Sequence, residues 1–131
     1  MGTKFLMDSN VIIDYLDNKL PVAGMDFVSE IVDKIPNISV ISQIEVLRYN
    51  APIHASRVLS AFVDYSSIYP LDNNIVPLTI DICKRHKIKL PDAIIAATAI
   101  FYNFTLLTRN VDDFKNISNL QLVNPWKIVS K

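Results

Sequence analysis

The sequence predicts an α/β fold, with a mostly parallel central sheet of four to five strands and helices packed on both faces. Short apolar runs of strand length alternate with segments whose apolar residues recur at helical spacing, the pattern of strands joined by helical crossovers. One helical segment, Ala93 to Tyr102, is alanine-rich and apolar nearly all round, which suits a helix buried between other elements. With 131 residues, half of them hydrophobic and 20% charged, the chain has enough apolar content for one compact core. A single domain over 1–131 is expected.

Lys4 to Met7 is an apolar run that ends in Asp8-Ser9-Asn10, and the following VIIDYLDN is helical in spacing, so the chain opens as strand, turn, helix. Pro21 to Gly24 breaks the chain before a second helix over Met25–Lys34, and Ile35-Pro36-Asn37 leads to a second strand, Ile38–Ile41. Ser42 is placed to cap the next helix, QIEVLRYN. After Pro52, Val58, Leu59, Phe62 and Val63 mark a helix, and Ile68–Leu71 forms a short third strand. Helix resumes over Ile75–His86, stops in a basic loop with Lys87 and Lys89, and restarts at Leu90-Pro91-Asp92, where proline suits a helix start. Phe104–Thr108 reads as the fourth strand, Val111–Phe114 as a turn or short helix, and Leu120–Val123 as the fifth strand.

Thirteen Lys and Arg balance thirteen Asp and Glu, so no whole-molecule positive field draws the chain to nucleic acid, and any such binding rests on a local patch. Cys83 is alone, and with two scattered histidines it supplies neither a disulfide nor a Cys/His zinc cluster. The opening MGTKFLMDSN has no apolar signal core, Gly2 lacks the Ser/Thr at position 6 of a myristoylation motif, and the run Ala93–Phe101 is too short to span a bilayer. A cytoplasmic protein without membrane attachment is expected.

In open parallel sheets ligands bind at the carboxyl ends of strands. Asp8 follows strand one, Glu45 lies in the helix after strand two, Asp92 begins a helix and Asp113 follows strand four, so all four can meet at one edge. Gathered carboxylates raise one another's pKa unless a cation compensates, and Mg2+ or Mn2+ suits oxygen ligands while keeping waters for phosphodiester hydrolysis. Each acid also has a structural reading. Asp8 and Ser9 can cap a helix, Glu45 can pair with Arg48, Asp92 suits a helix N-terminus, and Asp112 and Asp113 suit a turn.

Read with their neighbours, these residues resemble the PIN-domain family, especially the VapC-like toxin ribonucleases of type II toxin–antitoxin pairs. Leu6-Met7-Asp8-Ser9-Asn10-Val11-Ile12-Ile13-Asp14 is similar to the family's opening motif and Ser42-Gln43-Ile44-Glu45-Val46-Leu47 to its second. Leu90-Pro91-Asp92-Ala93-Ile94-Ile95-Ala96-Ala97-Thr98-Ala99 resembles the third, and Leu107-Thr108-Arg109-Asn110-Val111-Asp112-Asp113-Phe114 the fourth. Family members often carry an acid where this chain has Asn110, which leaves the fourth place to Asp113, with Asp112 as the alternative. The Asn110 amide oxygen can itself ligate or orient water. Ser9 can orient a metal-bound water or hold Asp8, and Asn10 and Asp14 lie close in sequence.

The resemblance implies a PIN-like three-layer α/β/α fold, water attack on RNA assisted by Mg2+ or Mn2+, a homodimer, and a cognate antitoxin. Arg48 and Arg109 neighbour two of the acids and are the expected substrate-binding cations, beside the basic stretch Lys84, Arg85, His86, Lys87 and Lys89. Two other readings remain at this point. One is a PIN-like domain that binds RNA or protein without cutting. The other is a haloacid dehalogenase-type phosphatase, although this chain has Asn10 where that class needs a second Asp.

Overall fold

A computed structural model describes residues 2–129. Its five strands are β1 (Phe5–Met7), β2 (Asn37–Ser39), β3 (Ser67–Tyr69), β4 (Thr105–Leu107) and β5 (Leu122–Val123). They form one sheet in the order β3-β2-β1-β4-β5, and every pair is parallel. The helices are α1 (Ser9–Leu16), α2 (Val22–Val32), α3 (Val40–Arg48), α4 (Ile53–Tyr65), α5 (Ile75–Arg85), α6 (Leu90–Phe101) and α7 (Val111–Phe114), followed by a 3-10 turn, Pro125–Lys127. Among the described residues no helix is long and apolar enough to cross a membrane.

Strand alternation splits the core in two. Leu6 and Leu106 point to one face, where they pack with Ile75 and Ile82 of α5, the alanine-rich α6 and Phe114 of α7. Met7 and Leu107 point to the other, with Val11 and Ile12 of α1, Val28 of α2, Val46 of α3 and Phe62 of α4. A sheet covered on both faces by helices is the three-layer α/β/α arrangement. Residues 93–99 are all buried, as the apolar run predicts. Asn103, at φ 57°, then ends α6 with its N–H on the Ile100 carbonyl while Phe104 N–H reaches Ala99, and this C-terminal lock turns the chain into β4.

The strands are shorter than the apolar runs suggested. The second ends at Ser39 rather than Ile41, because Ser39 is itself the helix cap: its Oγ accepts the Ile41 N–H at 3.0 Å, and α3 begins at Val40. Ser42, expected as that cap, is buried inside α3, and its hydroxyl makes no hydrogen bond. The expected break at Pro21–Gly24 is also displaced. Pro21 precedes α2, which starts at Val22, and Gly24 lies within it.

Gly24 is there because of the C-terminus. A Cβ at this position would collide with the Pro125 carbonyl oxygen, so glycine lets the 3-10 turn dock against α2. In an unobstructed helix Gly24→Ala would gain up to about 1 kcal/mol of propensity. Here it is expected to lower stability by roughly 1–3 kcal/mol through overpacking, measured as a lower thermal midpoint. A stabilised variant would show that the turn can move aside at no cost.

Candidate active site

The carboxyl end of β1 places Asp8 at the junction with α1. Its extended backbone (φ −74°, ψ 155°) makes it the helix cap, and its Oδ1 accepts the Ser9 N–H at 2.8 Å. Parallel pairing aligns Met7 with Leu107, which sets Thr108 of the neighbouring strand end beside Asp8. The Thr108 hydroxyl donates to Asp8 Oδ2 at 2.7 Å and accepts the Asn110 N–H at 3.0 Å, so its single proton is committed to the carboxylate. Asn10 Nδ2 donates to the same Oδ2 at 3.3 Å, while Asn10 Oδ1 accepts the Arg109 N–H at 3.2 Å. The loop after β4 is thereby stitched to the start of α1.

Ser9 acts on a different acid than its sequence position suggested. Its backbone N–H serves Asp8, but its hydroxyl donates to Glu45 Oε1 at 2.6 Å, tying α1 to α3. Asp92 lies half-buried in the first turn of α6.

The electrostatics show which acids sense one another. Asp8 is 5% exposed, and burial, opposed by the Thr108 and Ser9 hydrogen bonds and reinforced by the charges of Asp92 and Glu45, raises its pKa to about 6. Asp92 is also raised, first by desolvation and then by Asp113 and Glu45, with Lys89 acting in the opposite direction. Of the three candidates for the fourth position, Asp113 is the one whose charge acts on Asp92. Asp112 is turned to solvent beside Lys115 at 3.4 Å, and Asn110 precedes α7 with its N–H on Thr108. Among the described residues no three His, Cys, Asp or Glu side chains form a ready-made metal cage. What the edge does offer is a set of oxygen donors under mutual repulsion, which fits a hard divalent ion held by one or two carboxylates and several waters.

A PIN domain profile matches residues 5–120. The chain belongs to the PIN-domain family. Its fold is similar to that of a toxin–antitoxin complex from Klebsiella pneumoniae, at 27% identity over 95% of this chain and 100% of that one, with a TM-score of 0.74. VapBC2 from Rickettsia felis bound to a DNA fragment from its promoter is 21% identical over 93% of this chain and 98% of that chain, with a TM-score of 0.77. DNA-bound VapBC from Salmonella typhimurium is 20% identical over 95% and 99%, also at 0.77. No curated protein matches the chain.

Two clefts flank the acids of this PIN domain. One, of about 630 Å³, is lined by Asp92, Asp112 and Asp113 together with His86, Lys87 and Lys89. Another, of about 790 Å³, shares Asp112 and Asp113 but adds Arg109, Trp126 and Lys127. Of the expected cations, Arg109 therefore borders the acids, whereas Arg48 is exposed in the last turn of α3 and Arg85 is paired with Asp81 at 2.9 Å. Asp14 is placed near Arg109, at 3.9 Å. Thr108 and Trp126 were not singled out from the sequence. Thr108 closes the run that reads as the fourth strand, but its role depends on β4 lying next to β1, which sequence order hides.

The raised Asp8 value has a consequence for stability. Because it lies above the unfolded one, the folded protein binds more protons at this group between about pH 4 and 6, so the stability that Asp8 contributes is fully present below that window and is lost as pH rises through it. The expected loss is on the order of 3 kcal/mol in metal-free buffer. Urea titrations should show this slope in the wild type and a smaller one in Asp8→Asn, where only the raised Asp92 contributes with the same sign. An unchanged slope in the variant would assign it to another group.

Proposed function

We propose that this PIN domain is a metal-dependent endoribonuclease, the toxin of a toxin–antitoxin pair, that hydrolyses RNA phosphodiester bonds in the cytoplasm. The observation that carries the reading is that Asp8 and Asp92 are both raised, first by burial and then by the charges of acids from other segments, Glu45 acting on both and Asp113 on Asp92. Such a cluster is costly to the fold and useful at a site that binds a cation. Similarity to toxin–antitoxin complexes supports the antitoxin partner. Exposed Ile44 and Leu47 on α3, Tyr49 just after it and Ile53 at the start of α4 support burial against protein, either that antitoxin or a second copy in a homodimer.

Asp8 and Asp92 would hold Mg2+ or Mn2+, with Glu45 and Asp113 reaching it directly or through water. When bound, the ion supplies charge neutralisation and a more acidic water. The chain's own residues prepare the edge for it. Thr108 and the Ser9 N–H fix the Asp8 carboxylate, and the Ser9 hydroxyl fixes Glu45 with one oxygen free to take a proton from an attacking water. Lys87, Lys89 and Arg109 border the clefts and attract the RNA backbone.

Purified protein is expected to cleave single-stranded RNA in Mn2+ and to stop in EDTA. Asp8→Ala and Asp92→Ala should each lower kcat by at least about 100-fold, because loss of a ligand costs no less than the roughly 10–100-fold typical of losing a residue that only orients one, with the fold checked by circular dichroism. Cleavage that survives both substitutions would overturn the site. The lack of a ready three-acid cage among the described residues favours one second reading, a domain that binds RNA without cutting it. RNA binding without cleavage in any divalent metal would establish that reading instead.

A further inference from the structure

The 3-10 turn carries the chain's single tryptophan, and the Arg109 guanidinium covers its ring with Cζ 4.9 Å from the centroid. Each partner is anchored on its own side. The Trp126 N–H donates to Asn124 Oδ1 at 3.0 Å and Pro125 docks on Gly24, while the Arg109 N–H is bound to Asn10, which also contacts Asp8. The carboxylate nearest Arg109, that of Asp14, is at the outer limit of an ion pair, and the Arg109 side chain is 58% exposed, so that contact is weak. Stacking on Trp126 is therefore what orients the guanidinium. Arg109 and Trp126 both line the cleft that contains Asp112 and Asp113.

A guanidinium held over an aromatic ring presents a flat surface on which an unpaired base can stack, with N–H groups directed at an adjacent phosphate. Lys127 lines the same cleft and adds a second cation. We infer that Arg109 and Trp126 form a stacking shelf for one nucleobase of an RNA substrate, next to the phosphodiester that lies at the acids. This rests on the RNA-cleaving reading above and adds a subsite to it. The subsite requires an unpaired base at that position, because a base within a duplex has no free face.

Trp126 provides the readout. Its emission is followed as a single-stranded RNA of about ten nucleotides is added, first in EDTA and then to Asp92→Asn protein in Mn2+, so that cleavage does not intervene. A saturable change in emission is expected in at least one of these conditions. Removing bases one at a time should reveal one position where loss of the base weakens binding roughly tenfold. Arg109→Lys, which keeps the charge without the plane, and Arg109→Ala should abolish that positional penalty. Silent Trp126 emission under both conditions, the absence of a sensitive position, or an Arg109→Lys protein that behaves as wild type would each overturn the shelf. RNA cleavage in Mn2+ without a Trp126 response leaves the nuclease and removes the shelf. A Trp126 response with the positional penalty, in a wild-type protein that never cleaves, keeps the shelf and removes the nuclease.

Discussion

The hydrogen bond from Thr108 to Asp8 is the contact on which the candidate site turns. A buried carboxylate is tolerated only when donors or cations compensate it, and Asp8 has donors alone: the Ser9 N–H, the Thr108 hydroxyl and the Asn10 amide. The other charges acting on it, Asp92 and Glu45, are negative. The fold thus holds a carboxylate where burial and neighbouring acids disfavour its charge. Violations of this kind are expected where stability is exchanged for function.

Short polar side chains make the arrangement rigid. Ser9, Asn10 and Thr108 have few torsions to order, and each links two segments distant in sequence. Longer residues here would reach the acids but leave them mobile. The consequence is that β1, α1, α3 and the loop after β4 are coupled through groups of one or two polar atoms each.

The balanced net charge hides a local segregation. Cationic residues border both clefts at the acidic edge, Lys87 and Lys89 on one and Arg109 and Lys127 on the other, with Asp112 and Asp113 common to both. A polyanion approaching this edge meets cations around an acidic centre. The field is short-ranged, because exposed charges are screened within about 8–10 Å at ordinary ionic strength.

The sequence by itself determined the alternation of strands and helices, the burial of α6, and the placing of Asp8 after a strand and Asp92 at a helix start, whereas Glu45, expected one turn into its helix, lies in the second half of α3 because that helix begins at Val40. Those features are written in local periodicity and in turn and cap residues. It overran the strand ends and placed the α3 cap at Ser42 instead of Ser39, because β-branched residues such as Val40 and Ile41 suit either a strand or the first turn of a helix. Only the tertiary structure decided the strand order, and with it the meeting of Thr108 with Asp8, since neighbours across a parallel sheet are far apart in sequence. It likewise decided that Asp113, not Asp112, acts on Asp92, and that Ser9 holds Glu45. Adjacent acids on a four-residue helix are equivalent in composition and differ only in the direction each side chain faces once α7 is docked.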